Sequence, residues 1–89
     1  MQIEFDAAKR AATLKASGLD MARAGEVFSG ATLTVEDDRR DYGEDRLITV
    51  GFLDASMVVV VWTRRKVGAR IISMRKANDR EQRLYGERF

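Results

Sequence analysis

Between residues 64 and 83 this 89-residue chain carries eight basic side chains: Arg64, Arg65, Lys66, Arg70, Arg75, Lys76, Arg80 and Arg83. Trp62 and Tyr85 flank them. Arginine holds phosphate bidentately and aromatic rings stack on unpaired bases, so this mixture suits single-stranded RNA. RNA also brings its own nucleophile, the 2′-hydroxyl. Cleavage then needs a base for that proton, a cation to stabilise the dianionic phosphorane, and an acid for the departing 5′-oxygen. Glu36, or a lysine of lowered pKa, is a candidate base, and the arginines are candidate stabilisers. Neither a histidine nor a metal is obligatory for this chemistry.

The composition removes the main competitors. Zero cysteines exclude disulfides, thiol catalysis and Cys-based zinc sites, and zero histidines remove the commonest general base and metal ligand. The seven glycines are scattered at turns and caps, with no nucleotide-binding loop among them. In "EDDRRDYGED" a hard cation could be held by Asp37, Asp38 and Asp41, but the run lacks the spacing of a calcium loop and its arginines compete for the carboxylates. No metal or cofactor is expected. Residues 1–62 hold seven Lys/Arg against eleven Asp/Glu, a net of −4. Residues 63–89 hold nine against three, a net of +6. Such an oriented field draws an anionic partner to one side, although a basic run is more often a solvated face.

These side chains must be positioned by a small scaffold. There is no proline, no linker-like stretch and no repeat, so a single domain over 1–89 is expected. The longest apolar run, Met57 to Trp62, is of strand length and too short for a bilayer, and the N-terminus lacks a signal-type stretch. A cytoplasmic protein is expected. After an extended start, Gln2 to Phe5, Asp6 caps a helix "AAKRAATLKAS" that Gly18 ends, with Ala8, Ala11 and Leu14 as its thin apolar stripe. Asp20 caps a second, "MARAGEVF", burying Met21, Ala24, Val27 and Phe28.

Four strands follow. Ala31–Glu36 alternates with Ala31, Leu33 and Val35 inward; Arg46–Leu53 puts Ile48, Val50 and Phe52 on one face. Met57–Thr63 is apolar on both faces and reads as central, and Ala69–Arg75 follows a hairpin in which Gly68 is the turn residue. The expectation is α+β: two N-terminal helices, a four-stranded antiparallel sheet and a C-terminal helix. That last helix opens in "IISMRKANDRE". Ile71, Ile72 and Met74 are strand core, and Asn78 with Glu81 three residues on matches a capping box. Arg75, Lys76 and Arg80 have no structural duty in this reading.

The motifs also stand in a telling order. They are an F-D-x-x-K opening (Phe5, Asp6, Lys9), Val27-Phe28 closing the second helix, "LTVEDDRRDYGEDR" (Leu33 to Arg46), "VVVVWT", and "RIISMRKANDREQRLY" (Arg70 to Tyr85). Over nearly its full length the chain resembles BrnT-type toxins of bacterial type II toxin–antitoxin systems. The resemblance implies a RelE-like fold and a ribonuclease that cleaves mRNA and halts translation. It also implies a cognate BrnA-like antitoxin with a ribbon-helix-helix region, through which alone operator DNA is reached. With it, Arg64, Arg70, Arg75, Lys76, Arg80 and Glu36 become the expected catalytic set. Lys9, Arg46, Arg83, Tyr85 and Trp62 become RNA contacts. One departure matters: family members usually end the first helix N-x-x-K-H-G, where this chain has Thr13, Ala16, Ser17 and Gly18. Ser17 stands in place of the histidine, so an interaction module with weakened nuclease activity is the alternative.

Overall fold

The computed structural model describes residues 1–37, 43 and 45–89. Its elements are β1 (Gln2–Phe5), α1 (Ala7–Ser17), a 3₁₀ turn (Met21–Arg23) running into α2 (Ala24–Ser29), β2 (Leu33–Glu36), β3 (Leu47–Leu53), β4 (Ser56–Arg65), β5 (Gly68–Lys76) and α3 (Asp79–Gly86). The strands form one sheet in the order β1-β5-β4-β3-β2. The α+β class is as expected, but the sheet has five strands and is mixed. β1, expected only as an extended start, pairs parallel to β5 from Gln2↔Gly68 to Phe5↔Ile71.

Gly68 explains why the edge can be extended. It does not serve as the turn residue; Lys66 and Val67 make the turn and Gly68 begins β5. A Cβ there would meet the Gln2 backbone, with Gln2 N only 2.7 Å away. The bare backbone at 68 lets β1 close on the sheet.

The helix ends follow the sequence. Asp6 accepts from Lys9 N at 3.0 Å, Gly18 takes φ 76, and Asp20 accepts from Ala22 N at 2.9 Å. The α1 stripe does not: Ala8, Ala11 and Leu14 are exposed and no α1 residue is buried. Alanine methyls bury too little area to hold a helix down. Polar ties hold it instead, through Arg10 to Asp20 (2.7 and 2.8 Å) and Lys9 Nζ to the carbonyl of Ile72. Ile72 is the extra residue where the β4–β5 register shifts.

β4 is buried on both sides, as its run of valines requires. Val58 and Val60 join Met21, Ala24, Val27 and Ile71 on the face carrying α2, while Met57 and Val59 join Val50 and Ala77 on the face carrying α3. Ile48, Val50 and Phe52 do share a face, the α3 one. Leu33 and Val35 share it too, but the expected burial of β2 fails: Val35 is 60% exposed and Ala31 lies outside the strand. α3 is too short to reach that far.

Two substitutions should move stability in opposite directions. Gly68→Ala should cost about 1–3 kcal/mol in urea denaturation, as expected of forced overpacking. The β3–β4 turn holds Asp54 at φ 51 and Ala55 at φ 66. Ala55→Gly should therefore stabilise by about 1 kcal/mol, since only glycine occupies that region without strain.

Candidate nucleic-acid interface

Residues paired across a sheet project to the same side. The pairs Phe5↔Ile71, Ile71↔Trp62, Trp62↔Leu47 and Leu47↔Glu36 therefore draw one row across all five strands on the α2 face. Glu36 ends that row two strand spacings, about 10 Å, from Trp62. Arg64, two residues beyond Trp62, lies on the same face, and its Nη1 is 3.6 Å from Asp45 Oδ2. An open cleft at this end of the sheet is lined by Met1, Trp62, Arg64, Arg65, Val67 and Gly68.

The indole of Trp62 is held in place. Its Nε1 donates to Thr49 Oγ1 at 2.8 Å, and that hydroxyl is also 2.8 Å from Thr34 Oγ1. Phe28 meets the ring edge-on, with centroids 5.1 Å apart. Immobilised aromatic rings beside arginines are a general surface on which nucleic-acid bases stack. An exposed carboxylate, Glu36, lies on the same face.

The remaining expected site residues are elsewhere. Arg70 and Arg75 stand opposite Thr63 and Val59, on the α3 face. Arg70 Nη1 is 3.7 Å from Glu4 Oε1. Arg75, which the sequence left without a structural duty, grips Glu81 with its two terminal guanidinium nitrogens, Nη1 and Nη2, at 2.7 and 2.8 Å. Glu81 is at the same time the reciprocal half of the capping box, accepting from Asn78 N at 2.9 Å while Asn78 Oδ1 accepts from Glu81 N at 2.8 Å. Lys76 lies opposite Val58, at the far end of β5 from the cleft, and Arg80 and Arg83 are exposed on α3. Tyr85 packs against the Val50–Val59 cluster. Arg46 is half-buried, its carbonyl accepting from Asp37 N at 2.8 Å. Lys9 is tied to Ile72 as described.

Thus Glu36, Trp62 and Arg64 share one face and one end of the sheet; Lys76 is on that face at the far end, Arg46 just precedes β3, and the other six lie on the opposite face, α1 and α3. Arg65, named only as part of the basic run, and Asp45, Thr49 and Phe28, not singled out for it, belong to the cleft and its support. The period-2 alternation of β4 is the one sequence signal that joins Trp62 to Arg64. Asp38 and Asp41 lie outside the described residues. Among the described residues no group of three or more His, Cys, Asp or Glu is arranged to hold a metal. Nor is any helix among them long and apolar enough to cross a membrane. Ser17 is engaged in ending α1: its Oγ donates to the Thr13 carbonyl at 2.8 Å and accepts from Leu19 N at 3.3 Å.

Compared with known proteins, residues 5–81 match the family described as "Ribonuclease toxin, BrnT, of type II toxin-antitoxin system". No curated protein matches the chain.

The Arg75 guanidinium, with the Asn78 N–H, holds the Glu81 carboxyl down from an ordinary 4.5 to about 2. A carboxylate stabilised in the folded state contributes above its unfolded pKa and loses that contribution as pH falls through its folded one. The urea midpoint should therefore drop between pH 4.5 and 2, and Glu81→Gln should start lower but fall less steeply over that window.

Proposed function

Since the chain belongs to the BrnT family of ribonuclease toxins of type II toxin–antitoxin systems, we propose that it is an endoribonuclease that cleaves mRNA, inhibits translation and works without a metal ion. A cognate DNA-binding antitoxin of ribbon-helix-helix type neutralises it, and the pair works in the cytoplasm. What supports a site for this chemistry is the row that sets Glu36 and Trp62 on one face with Arg64 beside them. A base stacked on Trp62 brings its phosphate over Arg64. Glu36 removes the 2′-hydroxyl proton, and the 2′-oxygen attacks phosphorus while Arg64 stabilises the added negative charge. The bond to the 5′-oxygen breaks, that oxygen takes a proton from solvent, and a 2′,3′-cyclic phosphate remains. Arg70, Arg75, Lys76, Arg80 and Arg83 act at longer range, through the field of the +6 segment 63–89 that concentrates a polyanion near the sheet, and Lys9 and Arg46 add single positive charges from outside it.

A second reading draws on Ser17. With its hydroxyl bonded to Thr13 and Leu19, it offers no substitute for the imidazole that family members usually carry there. In that reading the chain keeps its antitoxin-binding surface and has lost most of its nuclease activity.

Purified chain incubated with mRNA separates the two. Measurable cleavage that falls about a hundredfold or more in Glu36→Gln and in Arg64→Ala, with melting temperatures held, is the expected result. Undiminished cleavage in both folded variants would sink the site, and an inert wild-type chain that still binds its antitoxin would favour the second reading.

A further inference from the structure

α3 covers only part of its face of the sheet. Tyr85 and Ala77 close over Val50, Met57 and Val59. Beside them a row remains accessible, running Val35, Ile48, Val61 and Ser73 across β2, β3, β4 and β5. Val35 is 60% exposed, and Ile48 and Val61 are half-buried. Arg70 stands in the neighbouring row on one side, and Arg75 and α3 on the other. An aliphatic floor rimmed by arginines, Arg70 paired with Glu4 and Arg75 with Glu81, is the profile of a protein-binding surface.

We propose that this trough docks the antitoxin, which lays an acidic segment with an apolar face along Val35, Ile48 and Val61. This rests on reading the chain as the toxin of a pair. The charge sets the partner's sign, because residues 63–89, which supply Val61's strand end, β5 and α3, carry a net of +6. The floor sets its chemistry. RNA is equally anionic, but its bases stack on aromatic rings, whereas a β-branched floor is filled by aliphatic side chains. The trough lies on the opposite face from Glu36, Trp62 and Arg64, so docking and cleavage are separable by mutation.

The test replaces one exposed residue by two charges of opposite sign. Val35→Glu and Val35→Arg are each titrated with the purified cognate antitoxin at two salt concentrations. Both lose the apolar contact, but only the glutamate repels an acidic partner. Val35→Glu should weaken binding about tenfold or more, Val35→Arg only a few-fold, with wild-type affinity falling as salt rises and RNA cleavage by both variants unchanged. Wild-type affinity in both variants overturns the site, and equal losses overturn the acidic occupant. Two further outcomes also overturn it. One is Val35→Glu losing RNA cleavage while folded, which assigns the face to RNA. The other is Val35→Glu dissolving a self-dimer with antitoxin affinity intact, which assigns it to a second copy. If instead Glu36→Gln and Arg64→Ala cleave normally, the catalytic site falls and the docking result stands.

Discussion

The molecule depends on β4 being hydrogen-bonded on both edges and buried on both faces. Val58 and Val60 are wholly buried on one side, and Met57 and Val59 nearly so on the other. A strand with no solvent side cannot slip by one residue without exchanging two packed cores, so its register is fixed. That register then dictates every row of the sheet. Trp62 must fall in line with Leu47 and Glu36, and Arg64 must project on the Trp62 side. Arg70 and Arg75 must project on the other. The division of the molecule into a cleft face and a trough face follows from this register together with the bulge at Ile72 in β5.

The two flanking helices are held quite differently from the strand. Neither α1 nor α3 contains a buried residue. Their attachments are polar: Arg10 with Asp20, Lys9 with the bulged Ile72 carbonyl, and Arg75 with Glu81 inside a capping box. Partly exposed ion pairs are individually worth well under 1–2 kcal/mol, so the helices contribute surface and charge more than core. A further polar tie, Arg23 to both Glu26 and Asp54, pins the 3₁₀ turn ahead of α2 to the β3–β4 turn. That tie also helps to hold Asp54 and Ala55 in left-handed conformations that neither residue prefers.

Much of the fold was legible because it rests on local chemistry. The Asp6 and Asp20 caps, the Gly18 stop, the Asn78–Glu81 box and the two-faced β4 run all act through neighbours in sequence. The parallel β1 was not legible, because nothing in "QIEF" announces a partner more than sixty residues away. Its only trace was Gly68, which a turn explains equally well. The exposed face of β2 was missed for a related reason: alternation marks which residues share a face but not whether anything covers it. Of the candidate site, alternation along β4 linked Trp62 to Arg64. Joining Glu36 to them needed the ladder registers of β2, β3 and β4, which no single-strand pattern carries.

Counting basic residues overstates how many act at one place. The run from 64 to 83 looks continuous in sequence, yet Arg64 projects to one face while Arg70 and Arg75, brought onto the same side by the bulge at Ile72, project to the other. Carboxylates then claim some of them: Glu81 takes Arg75 bidentately, and Glu4 lies 3.7 Å from Arg70. Such pairs cancel charge at short range but leave the net surplus of the segment, which acts over about 8–10 Å at physiological salt. One stretch of sequence thus serves two purposes on two scales. Its sum attracts polyanions and acidic partners alike, and its local geometry separates them. The ring and arginine of the cleft suit a nucleotide, and the aliphatic floor of the trough suits a protein.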